Sequence, residues 1–84
     1  MAGPGKTLQK LLAGTRDANV RFRELQLLLK ALGFVERIRG SHYIYTRDDI
    51  VEIINIQQRG AQAKPYQVKQ IRELILKYRL GDSL

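Results

Sequence analysis

Apolar residues recur at spacings of three and four positions in three segments of this chain. Such spacing places apolar side chains on one face of a helix, and it predicts helices over 6–13, 20–32 and 65–81. Asn19 is the expected N-cap of the second helix, because its side-chain oxygen can accept a hydrogen bond from a free backbone amide. Gly33 is expected to end that helix, and Gly81 is expected to end the third before a frayed C-terminus.

The middle of the chain is instead rich in β-branched and aromatic residues, which favour strands. Three strands are predicted over 34–38, 42–46 and 50–56. Because only short turns separate them, they should form an antiparallel meander. One face of that sheet would be covered by the helices, which predicts an α+β fold with two layers and an extra N-terminal helix.

The length of 84 residues allows one small hydrophobic core. We therefore expect a single domain over 1–84, with an N-terminal extension over 1–18 and a core over 19–80. The N-terminus lacks the apolar stretch of a secretory signal, and no apolar run approaches the length of a membrane span, so we expect a cytoplasmic protein without a membrane partner.

Charge narrows the expected partners. Fifteen lysines and arginines against eight acidic residues give a net charge of +7. A positive field of this kind favours polyanions, with nucleic acid first and an anionic membrane or an acidic protein next. The chain has no cysteine and one histidine, which argues against disulfides, a zinc site or a metal cofactor.

His42 is the candidate catalytic residue. It is the single histidine, follows the turn Arg39-Gly40-Ser41, and lies within five residues of Arg37 and Arg47. An imidazole changes charge near neutral pH and can move a proton during RNA cleavage, while Arg39 and the amides of Gly40 and Ser41 would hold phosphate. The alternative is that His42 is a strand residue without a chemical role.

A second basic segment leads from the last strand into the last helix. Helix N-termini bind phosphate through free amides, and an exposed aromatic ring can stack on a base. The candidate RNA-binding residues there are Arg59, Lys64, Tyr66 and Lys69. Arg72 would extend the same track, unless this helix face is only solvated and Lys69 pairs with Glu73.

Three stretches resemble the HicA family of toxins: LGFVER at 32–37, RGSHYIY at 39–45 and KPYQVKQI at 64–71. The resemblance covers roughly 20–80. It implies an α-β-β-β-α fold like that of a double-stranded-RNA-binding domain. It also implies an mRNA endonuclease that a HicB-type antitoxin neutralises and in which the histidine after the Gly-Ser turn, here His42, is catalytic.

The sequence departs from the family pattern in two places. Many members carry a second histidine near the end of the third strand, where this chain has Asn55-Ile56-Gln57-Gln58. The first eighteen residues are also additional to short members. A binding module of the same fold without chemistry therefore remains the main alternative, and a domain that binds an acidic protein is a third hypothesis.

Overall fold

A computed structural model of the chain describes residues 3–58 and 60–84, and in these residues three helices and three strands follow in the order α1-α2-β1-β2-β3-α3. The helices are α1 (Pro4–Ala13), α2 (Phe22–Ala31) and α3 (Pro65–Tyr78). The strands are β1 (Val35–Arg39), β2 (His42–Arg47) and β3 (Ile50–Gln57). Short 3-10 turns over Asp17–Asn19 and Leu80–Ser83 precede α2 and follow α3. The predicted α+β fold with an added N-terminal helix is confirmed.

The sheet is an antiparallel meander with strand order β1-β2-β3. Arg39 pairs with His42, so the first hairpin has a loop of two residues, Gly40 and Ser41. Gly40 has a φ of 60° while Ser41 does not have positive φ. Positive φ at the first loop position is the pattern of a type II′ turn, which matches the twist of the flanking strands and favours glycine there.

One face of the sheet carries the core. Tyr45, Ile54 and Ile56 are buried against apolar side chains of the helices. Because successive strand residues point to opposite faces, the residues between them lie on the other face. That face exposes His42, Val51 and Ile53 to solvent. We call it the open face of the sheet.

Helix α1 belongs to the core. Its Leu8 and Leu11 are buried, and α1 packs against both α2 and α3. Arg72 of α3 donates to Asp17 at 2.7 Å and to the carbonyl of Leu11 at 3.3 Å. The N-terminal extension is therefore held by apolar burial and by a partly buried ion pair.

The prediction that Asn19 caps α2 was wrong. Asn19 ends the 3-10 turn, and α2 begins three residues later, at Phe22. The intervening chain is extended because it pairs with residues before α3: Ala63 donates to the carbonyl of Val20 and Phe22 donates to that of Ala61. The N-cap is Arg21, whose amide donates to the Glu24 carboxylate at 2.9 Å.

The prediction for the C-terminal end was also wrong. Helix α3 ends at Tyr78, because Arg79 takes the left-handed conformation with a φ of 54°. The chain then forms a 3-10 turn instead of fraying, since Leu80 is buried in the core. The expected end of α2 was correct: Gly33 follows its last turn with a φ of 91°.

Candidate nucleic-acid interface and active site

His42 is the first residue of β2 and lies on the open face. It pairs in register with Arg39 of β1 and with Gln57 of β3. Its Nδ1 atom is 3.3 Å from Oδ1 of Asn55. The imidazole is therefore accessible to a ligand from solvent while one ring nitrogen contacts a neighbouring strand.

Hydrogen bonds from the end of β3 fix the turn before His42. The Gln58 amide donates to the Ser41 carbonyl at 2.9 Å, and Gln57 Nε2 donates to Ser41 Oγ at 3.2 Å. The Tyr43 hydroxyl donates to Gln58 Oε1 at 3.0 Å. These contacts hold the turn against the end of β3, and Tyr43 in turn holds Gln58.

The N-termini of α2 and α3 lie at the same end of the molecule as this turn. Tyr43 lies on the helix-covered face, where its ring packs edge-on against Phe22 at the start of α2, with centroids 4.9 Å apart. The extended pairing of 20–22 with 61–63 then places Lys64, the N-cap of α3, near the start of α2. A chain of direct contacts thus links the His42 strand to the start of α3.

Cations without a carboxylate partner concentrate at this end. Fourteen of the fifteen lysines and arginines lie in the described residues, and six of these form salt bridges. The other eight have no carboxylate partner in this part of the chain: Lys6, Arg16, Arg21, Arg23, Arg37, Arg39, Lys64 and Lys69. Six of the eight lie on the open face of β1 or at the starts of α2 and α3. Arg37 and Arg39 therefore provide unpaired positive charge on the face of His42, and the other four cations provide it at the starts of the two helices.

The opposite end of the sheet carries acidic residues. Asp48 and Asp49 form the turn between β2 and β3. Arg47, five residues along the strand from His42 and thus about 17 Å away, pairs with Asp49 at 2.8 Å and donates to the Leu32 carbonyl at 2.8 Å. Arg47 therefore stabilises the end of α2 and is not part of the environment of His42.

The predicted residues around α3 occupy distinct positions. Lys64 is half-buried, with Nζ 5.9 Å from the centroid of the Tyr66 ring, and Tyr66 is 63% exposed. Lys69 is exposed and, within the described residues, forms no ion pair with Glu73. Arg72 holds α1 instead of facing a ligand. Arg59 lies outside the described residues.

Two hydrogen-bonded networks away from His42 contain groups with shifted pKa values. Partial burial acts to raise the pKa of Glu36, but bonds from Tyr45 and Gln26 and the charge of Lys30 lower it overall. Burial, followed by the bond to Glu36, raises the pKa of Tyr45. This network fixes β1 to β2 and α2.

The second network joins β3 to α3. Glu52 accepts from Lys77 at 2.6 Å and from the Tyr78 hydroxyl at 2.5 Å. The bonds from Lys77 and then Tyr78 lower the pKa of Glu52 to about 2. Both networks hold the sheet against the helices and leave the open face free.

No group of three or more histidine, cysteine, aspartate or glutamate side chains in the described residues could hold a metal ion. In the same residues no helix is long and apolar enough to cross a membrane.

The structure thus has an α+β fold with an exposed histidine beside two arginines at one end of the open face. The family model described as HicA toxin of bacterial toxin-antitoxin matches residues 22–77, which is two thirds of the chain. The chain belongs to the HicA toxin family, and this membership implies an antitoxin partner and an RNA target in general terms. A search of curated proteins and a search of solved structures returned no significant match.

The sequence predicts His42 and Arg39 as site residues, but three of their neighbours received no role in that prediction. Asn55 contacts the imidazole, and Gln57 and Gln58 hold the turn. Once the register of β2 and β3 is known, the alternation of β3 places Asn55 and Gln57 on the face of His42. The sequence signal for Asn55 and Gln57 was the presence of two polar amide side chains in a strand that is otherwise mostly aliphatic.

Proposed function

We propose that this protein is a toxin-type endoribonuclease that cleaves mRNA without a metal ion, with His42 as the catalytic residue. The observation that carries the proposal is the exposed imidazole of His42 beside Arg39, whose guanidinium has no carboxylate partner in the described residues. Family membership supports a ribonuclease-type toxin.

The proposed reaction is attack by a ribose 2′-oxygen on the adjacent phosphorus. A bond forms between O2′ and phosphorus, the bond from phosphorus to the 5′-oxygen breaks, and the products are a 2′,3′-cyclic phosphate and a 5′-hydroxyl. His42 removes the 2′ proton as a base or protonates the leaving oxygen as an acid, and water serves the other transfer. Arg39 and the Gly40 and Ser41 amides stabilise the negative charge on the phosphorane.

The start of α3 supplies the second part of the proposed RNA surface. The free amide of Tyr66 and the charge of Lys64 would bind a neighbouring phosphate, and the exposed Tyr66 ring would stack on a base. The other amides of this turn do not contribute, because Pro65 has no N–H and the amides of Gln67 and Val68 donate to the Lys64 carbonyl. Lys69, one turn further, extends the basic track, and Arg59 belongs to the same proposed surface. Contacts through Tyr43 and Phe22 hold this part relative to His42.

The proposed partner is a HicB-type antitoxin. Its expected effect is to abolish RNA cleavage by binding the toxin. Induced expression of this chain should stop growth, and coexpression of the cognate antitoxin should restore it. Growth arrest that persists with a bound antitoxin would contradict this part of the proposal.

The direct test of the activity is incubation of purified protein with an RNA and with DNA of the same sequence, both in the presence of EDTA. RNA should yield fragments that end in a cyclic phosphate. DNA should stay intact because it lacks the 2′-hydroxyl. Loss of RNA cleavage in EDTA would overturn the metal-independent mechanism.

A non-catalytic RNA-binding module of the same fold is the second candidate. The single histidine of the chain favours it, because one imidazole can carry only one of the two proton transfers at a time. This candidate predicts salt-dependent RNA binding and no product after long incubation, so the same experiment separates the two functions.

A further inference from the structure

The Asn55 side chain lies beside the proposed catalytic group on the open face. His42 pairs in register with Gln57, and Asn55 pairs with Ile44. His42 and Asn55 are therefore diagonal neighbours on adjacent strands, a relation within reach of longer side chains. The contact joins Nδ1 of the imidazole to Oδ1 of the amide at 3.3 Å.

We infer that Asn55 is a positioning residue for His42, an inference that rests on the proposed nuclease function. Asn55 Oδ1 accepts a hydrogen bond from the proton on Nδ1 and so holds the imidazole in one tautomer. In that tautomer the lone pair is on Nε2. Nε2 is then the atom that removes the 2′ proton.

The chemistry of imidazole makes the choice of tautomer consequential. A neutral imidazole has one donor nitrogen and one acceptor nitrogen, and the partner of one nitrogen determines the role of the other. After Nε2 takes up a proton, both nitrogens are donors, so the bond to Oδ1 persists in the charged form. The neutral amide thus orients the ring before and after proton transfer without adding a charge.

The surrounding sheet fixes both partners. Asn55 lies between Ile54 and Ile56, which are 1% and 0% exposed, so the β3 backbone is anchored on each side of it. His42 precedes Tyr43, which packs against Phe22. The ring and the amide therefore project from two strands whose relative position is set by the core.

The test is ¹⁵N NMR spectroscopy of the imidazole in the purified chain of 84 residues, which has one histidine and therefore one imidazole signal set. At a pH where the ring is neutral, the wild type should carry its proton on Nδ1. Asn55→Ala should lose this preference, whereas Asn55→Asp should keep it because a carboxylate also accepts. Ile53→Ala, on the same strand and face and 63% exposed, should resemble the wild type.

Activity measurements separate orientation from binding. Asn55→Ala should lower kcat about 10- to 100-fold, which is the range seen when a metal-binding histidine loses the partner of its other ring nitrogen, with little change in KM. Asn55→Asp should restore most of kcat and move the imidazole titration to higher pH. Among the residues that the structure describes, the other charged groups on this face are Arg37 and Arg39, and both are present in every variant.

The possible outcomes separate this inference from the function on which it rests. A wild-type proton on Nε2, or an unchanged tautomer in Asn55→Ala, overturns the role of Asn55 even if RNA is cleaved. The expected tautomers in a protein that never cleaves RNA overturn the nuclease function and leave the hydrogen bond established.

Discussion

Arg39 and His42 pair with each other across the two-residue turn Gly40-Ser41, so a guanidinium and an imidazole project from neighbouring strands onto the open face of the sheet. Arg37 lies on the same face of β1, two residues before Arg39 and opposite Ile44. The hairpin therefore combines a group that can transfer a proton with groups that can bind phosphate.

Arg39→Gln should weaken RNA binding and reduce the salt dependence of the affinity. Loss of one phosphate contact lowers the slope of log K against log salt by about 1. Fluorescence anisotropy with labelled RNA over a series of salt concentrations measures this slope. Lys77→Gln is the matched control, because it removes the same charge from a lysine already paired with Glu52. Equal slopes for the two variants would contradict the assignment of Arg39.

Leu11→Ala should destabilise the protein by about 2–5 kcal/mol, because removal of a buried leucine side chain leaves a cavity. Leu11 is 0% exposed, although it lies outside the segment that matches the family. Leu12→Ala is the matched control: Leu12 is 42% exposed, and its replacement should cost less than about 1 kcal/mol. Urea denaturation followed by circular dichroism gives both values. Similar losses for the two variants would show that α1 does not belong to the core.

Glu52 should make stability depend on pH in the acid range. Its pKa is about 2 in the folded protein, against an ordinary value of 4.5. A lowered folded pKa gives stabilisation that is fully present above pH 4.5 and is lost as the pH falls toward 2.

The difference in free energy of unfolding between the wild type and Glu52→Gln should therefore shrink over this interval. Urea denaturation at several pH values measures it. Parallel declines of the two proteins would contradict the role assigned to the bonds from Lys77 and Tyr78.

Much of the fold follows from local patterns, because turns and periodicity act over a few residues. The helical stripes, the Gly40-Ser41 hairpin and Pro65 at the start of α3 are of this kind. The start of α2 is not local: Val20 and Phe22 bond to residues about forty positions away, and these bonds keep the chain extended past Asn19. The tendency of asparagine to cap helices is a local property and therefore could not predict this long-range pairing.

The arrangement of the candidate site follows from local patterns only in part. His42 and Arg39 stand out by residue type and by the turn between them. The sequence does not show which face of the sheet they occupy. Ile44 is as apolar as Tyr43 and Tyr45, so the pattern of β2 fits His42 on the core face as well as on the open face. Packing of Tyr43 against Phe22 decides the orientation and places His42 in solvent. The contact with Asn55 then depends on the register of β3.

The most direct test of the proposed function is the rate of RNA cleavage by His42→Ala, measured with RNA binding in the same samples. Loss of a general acid or base lowers a rate about 10²- to 10⁴-fold. Because His42 is exposed and packs in no core, the variant should fold and bind RNA as the wild type does. Retained binding with cleavage reduced to this extent is the predicted result. Cleavage by His42→Ala at the wild-type rate would contradict the account.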